Sequence, residues 1–274
     1  MRRLRVGVAY WGDAFSGFTK TQDKTALPSV QAVVEHALTK IGEFSSFQVS
    51  SRTDKGVHAL RNVFHVDVNQ HARLGPDAYQ RALNFHLASS TARGNVAVTD
   101  VTEVNAATFD ARRSCTGRTY LYRLLENSTP AHDVFFRRAA WVLHVPLDVE
   151  AMQHCATTLL MGEQDHASFQ NAGCQSKSSF RNITEFRIER QKKGQEPLFS
   201  DASLVNVTVS ANAFLLRQVR NMVGCLVEVG LGRLSHAQLS EIVHSRSREA
   251  MQAKRIRPAP ASGLYLQKVS YLSE

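Results

Sequence analysis

Residues 47–60 place a single carboxylate between two cations on a short segment that contains a glycine. The segment reads FQVSSRTDKGVHAL, so Asp54 follows Arg52 by two residues and directly precedes Lys55. Nearby positive charge favours the ionised form of a carboxyl group, and an ionised carboxylate can act as a nucleophile. Asp54 is therefore a candidate catalytic residue, although Asp, Ser and Gly are also common in solvated turns.

The flanking sequence shows which elements would position this carboxylate. Residues 47–49 resemble the end of a strand, and residues 62–68 alternate apolar and polar side chains as a half-buried strand does. Asp54 is therefore predicted to lie on a loop between two strands.

The first half of the chain alternates strand and helix signals. The first strand runs up to Tyr10, a helix is predicted over residues 29–42 with Ser29 as N-cap, a second helix over 76–87, and a strand over 96–104. With the two strands around Asp54, the order is strand, helix, strand, strand, helix, strand. That order is the split β-α-β pattern of ferredoxin-like and RNA-recognition domains.

The second half has a similar order of strands and helices, with longer insertions between them. Strands are predicted at residues 117–126, 182–190, 203–209 and 264–271, and helices at 148–161, at 214–229 and after Ser235. Three loops rich in Pro, Gly, Ser and charge are predicted as insertions, at residues 127–135, 170–181 and 191–200.

These elements predict an α/β protein of the α+β type, with two ferredoxin-like halves that share an extended mixed β-sheet flanked by helices. The first half is expected over residues 1–105 and the second over residues 106–274. The chain has 274 residues, enough to bury a substantial core. The sequence shows no internal repeat, so the similarity of the halves is inferred from element order alone.

The charge balance favours a polyanionic partner. The chain has 33 Lys and Arg against 24 Asp and Glu, a formal net charge of +9. Clustered cations bind nucleic acid because they neutralise phosphates and release counterions. Basic charge also occurs in proteins that bind no nucleic acid, and the basic tract at 245–258 fits a solvated surface as well as an RNA-facing one.

Cysteine use and hydrophobicity bear on the cellular compartment. The four cysteines are widely spaced and form no C-x-x-C motif, which favours reduced thiols over a disulfide frame or a zinc site. The basic start enters a strand without the apolar core of a signal peptide, and no apolar run approaches membrane-spanning length. The sequence predicts an intracellular protein without a membrane segment, and leaves the cytosol, mitochondrion and nucleus open.

An aromatic segment follows the first strand. Residues 10–18 read YWGDAFSGF and hold four aromatic rings among turn-forming residues. They are predicted to form a loop near the candidate site, with rings that are partly buried or that stack on bases.

Three separated segments resemble one known family. They are SRTDKGVHAL at 51–60, FDARRSCTGRTYLYRL at 109–124 and NAFLLRQVRNMVGCLVEVG at 212–230, and GLYL at 263–266 fits as well. In order and approximate spacing they resemble the TruA family of tRNA pseudouridine synthases, over essentially the whole chain. The segments look closer to the eukaryotic branch of that family than to the bacterial enzymes.

The resemblance implies a fold, a reaction and a partner. The fold would be that of pseudouridine synthases. The reaction would detach a uridine base from its ribose at nitrogen 1, turn it, and rejoin it through carbon 5, without a cofactor or a metal. The partner would be RNA, with tRNA first. Bacterial members form dimers and eukaryotic ones need not, so a homodimer is an open expectation.

The resemblance also assigns roles to five residues. Asp54 matches the nucleophile, Tyr120 the tyrosine that packs on the target base and is a candidate to take the carbon 5 proton, and Arg220 the arginine that pairs with the catalytic carboxylate. Arg52 matches a residue that helps to hold the flipped nucleotide, and Leu264 falls in a motif that lines the base pocket. Attack on carbon 6 of the base and attack on the anomeric carbon of the sugar are both open.

The chain also departs from the family. Val49-Ser50-Ser51 stands where Gly-x-Gly is common, so a differently shaped loop is expected there, and Phe18 replaces a tryptophan. The main alternative is a catalytically inactive RNA-binding or RNA-folding protein on the same fold. The presence of all three residues Asp54, Tyr120 and Arg220 argues against it. A hydrolase that pairs Asp54 with His58 or His65 is a more distant alternative.

Overall fold

The computed structural model describes residues 1–20, 27–69, 74–90, 92–191 and 203–272. By contacts, the chain forms two compact units, one of Met1–Arg118 with Tyr265–Glu274 and the other of Thr119–Leu264. The domain division expected after residue 105 stays a prediction.

The described residues contain ten strands and seven helices. In chain order they are β1 (Arg2–Tyr10), α1 (Val30–Thr39), β2 (Phe44–Val49), β3 (His58–Val68), α2 (Pro76–Ala88), β4 (Val96–Val104), β5 (Cys115–Glu126), α3 (Pro130–Phe136), β6 (Trp141–Val142), α4 (Val149–Leu159), β7 (Gly162–Asp165), β8 (Phe180–Arg190), β9 (Ser203–Ala211), α5 (Gln218–Gly230), α6 (His236–Ser245), α7 (Glu249–Ala253) and β10 (Leu264–Tyr271).

The first unit confirms the predicted strand and helix order. Its strands lie in the order β4, β1, β3, with β2 also paired to β3, and all these pairs are antiparallel. The start of β10 runs parallel to β3, with Tyr265 opposite His58, so the sheet of this unit is mixed. Helix α1 begins where predicted because the Ser29 hydroxyl accepts a hydrogen bond from the Ala32 amide at 3.1 Å.

The two faces of this sheet differ in character. On β1 the even-numbered side chains Leu4, Val6, Val8 and Tyr10 are buried, as strand alternation requires when one face of the sheet packs against the core. Arg2 lies over the ring of Tyr79 on α2 at 5.6 Å, whereas Arg5 lies over the ring of Tyr271 on β10 at 5.8 Å. The helices therefore cover the even-numbered face of β1, and the odd-numbered face carries Arg3 and Arg5.

The second unit has a sheet in the order β5, β9, β8, β7, with β6 parallel to β5. Helix α4 begins at the predicted place because the Asp148 carboxylate accepts from the Ala151 amide at 2.9 Å. Each unit thus combines helices with a mixed sheet, which confirms the α/β class.

Several boundaries were predicted wrongly for local reasons. The loop expected at 127–135 contains helix α3, which begins at Pro130 and has a capping box between Thr129 and His132. Of the loop expected at 191–200, residues 192–200 lie outside the described residues. Helix α5 begins at Gln218, four residues later than predicted, because Arg217 has a left-handed backbone with φ of 59°.

Three further predictions concern the thiols, the membrane and the basic tract. The four cysteines are free, and burial raises the pKa of Cys225 to about 12. In the part of the chain that is described, no helix combines the length and apolarity needed to cross a membrane. Part of the basic tract at 245–258 forms α7, where Met251 is buried.

One buried carboxylate should make the second unit sensitive to acid. Glu126 is only 3% exposed and accepts hydrogen bonds from Arg190, from the Ser203 hydroxyl at 2.8 Å and from the Leu147 amide at 2.7 Å. Burial raises its pKa, but the bonds from Arg190, Leu147 and Ser203 outweigh burial, so the pKa is lowered overall. Its stabilisation is therefore present above the pKa of the unfolded state and is lost as pH falls through the lower, folded-state value.

We expect Glu126→Gln to lower the free energy of unfolding by about 1–3 kcal/mol at pH 7, since the neutral amide cannot accept all of these bonds. The difference from wild type should be smaller at pH 3 than at pH 7, because the stabilisation from the carboxylate declines as the pH falls towards its lowered, folded-state pKa. Urea denaturation at both pH values measures it. Glu163→Gln, on an exposed side chain of β7, is the matched control. An equal loss at both pH values would contradict the assignment.

Candidate active site

Asp54 lies on the loop between β2 and β3, as predicted. Side chains alternate along this loop: Ser51 and Thr53 are buried, Arg52 and Lys55 are exposed, and Asp54 is half-buried. A turn follows, in which the Val57 amide donates to the Asp54 carbonyl at 3.1 Å. Gly56 has a φ of 82°, the positive value that a type II turn needs at this position and that glycine supplies without strain.

The side-chain amide of Asn62 on β3 holds this loop in place. This side chain is fully buried. Its nitrogen donates to the Ser51 carbonyl at 2.9 Å and to the Tyr10 hydroxyl at 3.1 Å, and its oxygen accepts from the Ser50 hydroxyl and the Val63 amide, both at 2.9 Å. Both donors and both acceptor positions of the amide are thus used, so its orientation is determined.

Two further contacts hold the same loop. The Tyr10 and Thr53 hydroxyls lie 2.7 Å apart, next to Asp54 in the chain. The Arg118 guanidinium donates to the Ser51 hydroxyl at 3.1 Å and to the Ser50 carbonyl at 2.9 Å. Ser51, which stands where the family commonly has the second glycine of Gly-x-Gly, therefore accepts a side-chain hydrogen bond from Arg118 that glycine could not accept.

The aromatic segment at 10–18 packs against the Asp54 loop. The Phe18 amide donates to the Thr53 carbonyl at 3.1 Å. Gly17 has a φ of 121°, and a Cβ atom there would lie 3.2 Å from the same carbonyl. A Cβ atom on Gly12 would lie 2.0 Å from the Val57 carbonyl oxygen, so only glycine fits. The predicted position of this segment beside the loop is confirmed.

Arg220 lies on the first turn of α5, in the second unit. Its Nε donates to the Ala259 carbonyl at 2.6 Å, and the Ala259 amide donates back to the Arg220 carbonyl at 2.9 Å. One turn further along α5, a Cβ atom on Gly224 would lie 2.4 Å from the Arg257 carbonyl oxygen. The absence of a side chain at Gly224 lets the segment before β10 lie directly on the helix, where it orients Arg220.

The same segment is held from the other side by Tyr122 on β5. This buried hydroxyl donates to the Pro260 carbonyl at 2.7 Å. Burial raises the pKa of Tyr122 well above its usual value, although the charge of Arg220 acts in the opposite direction, so the phenol stays a neutral donor. A Cβ atom on Gly263 would lie 2.6 Å from Tyr122 Cζ. These contacts place Leu264, which is 5% exposed, at the start of β10.

Tyr120 is half-buried and lies two residues before Tyr122, on the same face of β5. Its ring meets the edge of Phe214 with centroids 5.3 Å apart. The structure thus places Asp54 and Arg52 in the first unit and Tyr120, Arg220 and Leu264 in the second. Their catalytic and binding roles stay predictions.

Sequence reasoning missed the residues that hold the candidate site in place. Asn62 and Arg118 were not singled out, and neither was the role of Tyr122 beneath the segment before β10. An asparagine at the start of an alternating strand was the available signal for Asn62, because a buried amide requires partners nearby. Among the residues described, no group of three or more His, Cys, Asp or Glu side chains could hold a metal ion.

The family model described as tRNA pseudouridine synthase matches residues 7–112 and 156–272. The chain belongs to this family. The match includes the Asp54 loop, α5 and all of β10.

Three curated relatives match this chain along almost their full length. The protein "tRNA pseudouridine synthase A" of Maricaulis maris is 38% identical over 273 residues, which cover 99% of this chain and 98% of the relative. Its namesake in Neisseria gonorrhoeae is 37% identical, covering 98% and 92% of the two chains. That of Mesorhizobium japonicum is 36% identical, covering 99% and 100%. These relatives are bacterial, and a closer match to the eukaryotic branch stays a prediction.

The role of Asn62 can be tested with Asn62→Asp, which has the same shape. The new oxygen would face the Ser51 carbonyl, would no longer donate to the Tyr10 hydroxyl, and would add a buried charge. We expect the free energy of unfolding at pH 7 to fall by about 3 kcal/mol or more, measured by urea denaturation.

The control is Asn127→Asp. Asn127 is exposed and has a φ of 50°, a conformation that Asp tolerates as Asn does. If both variants unfold at the same urea concentration, the amide of Asn62 does not hold the loop.

Proposed function

We propose that this protein isomerises uridine to pseudouridine in tRNA, with Asp54 as the nucleophile. The observation that carries the proposal is the position of Asp54 on a loop held by buried hydrogen bonds. Asp54 is half-buried, has the exposed Arg52 and Lys55 close by in the chain, and directly follows a loop segment fixed at Ser51 and Thr53. Membership of the tRNA pseudouridine synthase family supplies the substrate and the reaction.

The reaction is balanced without an added reactant. The bond between nitrogen 1 of uracil and the ribose breaks, the base turns, and a bond forms between carbon 5 and the same ribose carbon. Carbon 5 loses its proton and nitrogen 1 gains one. A nucleophile that bonds transiently to the substrate and a group that takes the carbon 5 proton are therefore the functions the protein has to supply.

Asp54 supplies the first of these functions in our proposal, and Tyr120 the second. The Tyr120 ring, which rests on the edge of Phe214, offers a flat face on which an extruded base stacks, and its hydroxyl takes the proton from carbon 5. Bases that undergo chemistry are extruded from RNA and recognised by such aromatic surfaces.

The remaining residues orient the substrate and the nucleophile. Arg220 pairs with the catalytic carboxylate and keeps it ionised, and its Nε bond to the Ala259 carbonyl restricts where the guanidinium can point. Arg52, which is exposed, binds the backbone of the flipped nucleotide. Leu264, at the start of β10, lines the base pocket.

We expect Asp54→Asn to slow the reaction by roughly a thousandfold or more, because an amide is a poor nucleophile. The assay measures release of tritium from tRNA labelled at carbon 5 of uridine. Asp77→Asn, the same change on an exposed residue of the first turn of α2, should leave the rate unchanged. Equal release by Asp54→Asn and wild type would refute the role of Asp54. Absence of release by wild type on a broad tRNA pool would favour the inactive RNA-binding protein.

Tyr120→Phe keeps the stacking ring and removes the hydroxyl. If the hydroxyl takes the carbon 5 proton, kcat should fall by roughly a hundredfold or more while KM for tRNA changes little. Tyr122→Phe is the contrasting variant on the same strand face. It removes one hydrogen bond to the Pro260 carbonyl and should mainly lower the free energy of unfolding, by about 1 kcal/mol. Equal effects of the two changes on kcat would count against Tyr120 as the base.

A further inference from the structure

The first unit contains an aromatic cleft that the proposed chemistry does not use. Its volume is about 290 Å³, and it is lined by residues 9–11, 58–60 and 94–97 together with Tyr265. This volume is at the lower end of the range for small-molecule sites, roughly 300–1,000 Å³. The cleft therefore suits one planar group the size of a nucleobase.

The base of the cleft is a stack of three rings. The Trp11 and His58 rings lie 4.2 Å apart between centroids, and the His58 and Tyr265 rings are stacked at 4.6 Å. His58 and Tyr265 are buried, whereas Trp11 is half-buried. The Gly12 amide donates to His58 Nδ1 at 2.9 Å, which fixes the imidazole ring. Trp11 is thus a partly exposed indole on a rigid aromatic support.

The cleft is separate from the catalytic loop because neighbouring strand residues point to opposite faces. Tyr10 points towards the helices and contacts Thr53 beside Asp54. Trp11 continues with an extended backbone, and its ring lies against His58 and Tyr265 instead. Within the part of the chain that is described, neither Asp54 nor Arg52 is among the residues lining the cleft.

Of the four aromatic side chains in the segment 10–18, only Trp11 is partly exposed. Tyr10, Phe15 and Phe18 are buried, so the base-stacking role considered for the whole segment is left to Trp11. At the rim lie Leu60, which is 49% exposed, and the exposed Arg93, next to Gly94 of the lining. An apolar rim with a nearby cation suits a base with its attached phosphate.

We propose that this cleft holds one unpaired base of the tRNA substrate, stacked on Trp11 and outside the catalytic centre. The inference rests on the proposed function for its ligand. Aromatic side chains on the open face of a four-stranded sheet bind single-stranded bases in RNA-recognition domains, and this sheet has the same order of strands and helices. Such a site would anchor the tRNA while a different nucleotide reacts.

Binding can be measured without turnover because Trp11 and Trp141 are the two tryptophans of the chain. In the full-length Asp54→Asn, Trp141→Phe protein, Trp11 is the single indole. Titration with single-stranded hexauridylate should quench its fluorescence in a saturable manner. The matched Asp54→Asn, Trp11→Phe protein, which keeps Trp141, should show no such quenching. Absence of quenching at Trp11, or equal quenching at both positions, would overturn the proposal.

Steady-state kinetics give the second test. Trp11→Ala should raise KM for tRNA roughly tenfold and leave kcat within about twofold, since stacking of one base is lost. Trp11→Phe, which keeps an aromatic face, should recover most of the affinity. Phe85→Ala, on an aromatic that is 68% exposed on α2, should change neither constant. If Trp11→Ala lowers the melting temperature and kcat together without raising KM, its role is structural and the proposal fails.

Two other outcomes separate this inference from its rivals. If light scattering shows a dimer that Trp11→Ala dissociates, and RNA causes no quenching, the cleft binds a second copy of the chain instead of a base. If wild type releases no tritium from labelled tRNA but hexauridylate still quenches Trp11, the proposed reaction is wrong while the base site stands.

Discussion

The candidate site of the first unit depends on one buried amide. Asn62 connects the end of β1, the start of β3 and the loop before Asp54 through four hydrogen bonds, and each of its polar atoms has two partners. A buried amide with fewer partners would destabilise the fold, so this arrangement tolerates little variation. The loop backbone is consequently held in one position, and the side chain of Asp54 is presented from a rigid support instead of a mobile turn.

Strand alternation separates two roles that lie side by side in the sequence. Tyr10 and Trp11 are adjacent, yet the first is buried and bonded to the Asp54 loop, and the second lies on an aromatic cleft. Gly12 makes both possible, because its lack of a side chain admits the Val57 carbonyl and its amide fixes His58. Three consecutive residues thus link the positioning of the proposed nucleophile to a surface on the other face of the sheet.

Much of the fold could be predicted because its signals are local. Alternation located β4 and β10 at their observed bounds, and Ser29, Asp148 and Ser235 marked helix starts through capping bonds that involve only neighbouring residues. The start of α5 was mispredicted because apolar periodicity extends back through 214–217, while the left-handed backbone at Arg217 prevents the helix from beginning before Gln218. The chemistry of Asp54 could be suspected from its charged neighbours. The contacts that hold the Asp54 loop could not be predicted from the sequence, because Arg118 contacts Ser51 across 67 positions of sequence.

Both units restrain their candidate catalytic side chains by the same physical means. Arg220 is bonded to the Ala259 carbonyl, which Gly224 and Tyr122 bring against α5, and Asp54 follows a segment fixed by Asn62 and Tyr10. Ordering a long side chain or a loop costs conformational entropy, on the order of 1–2 kcal/mol for each backbone residue or long side chain. When folding has already ordered these groups, substrate binding does not bear that cost, and more of the interaction energy is available in the transition state. The buried hydrogen bonds around Asn62 and Tyr122 therefore restrain the segments that carry the candidate catalytic side chains, although neither side chain needs to touch the base.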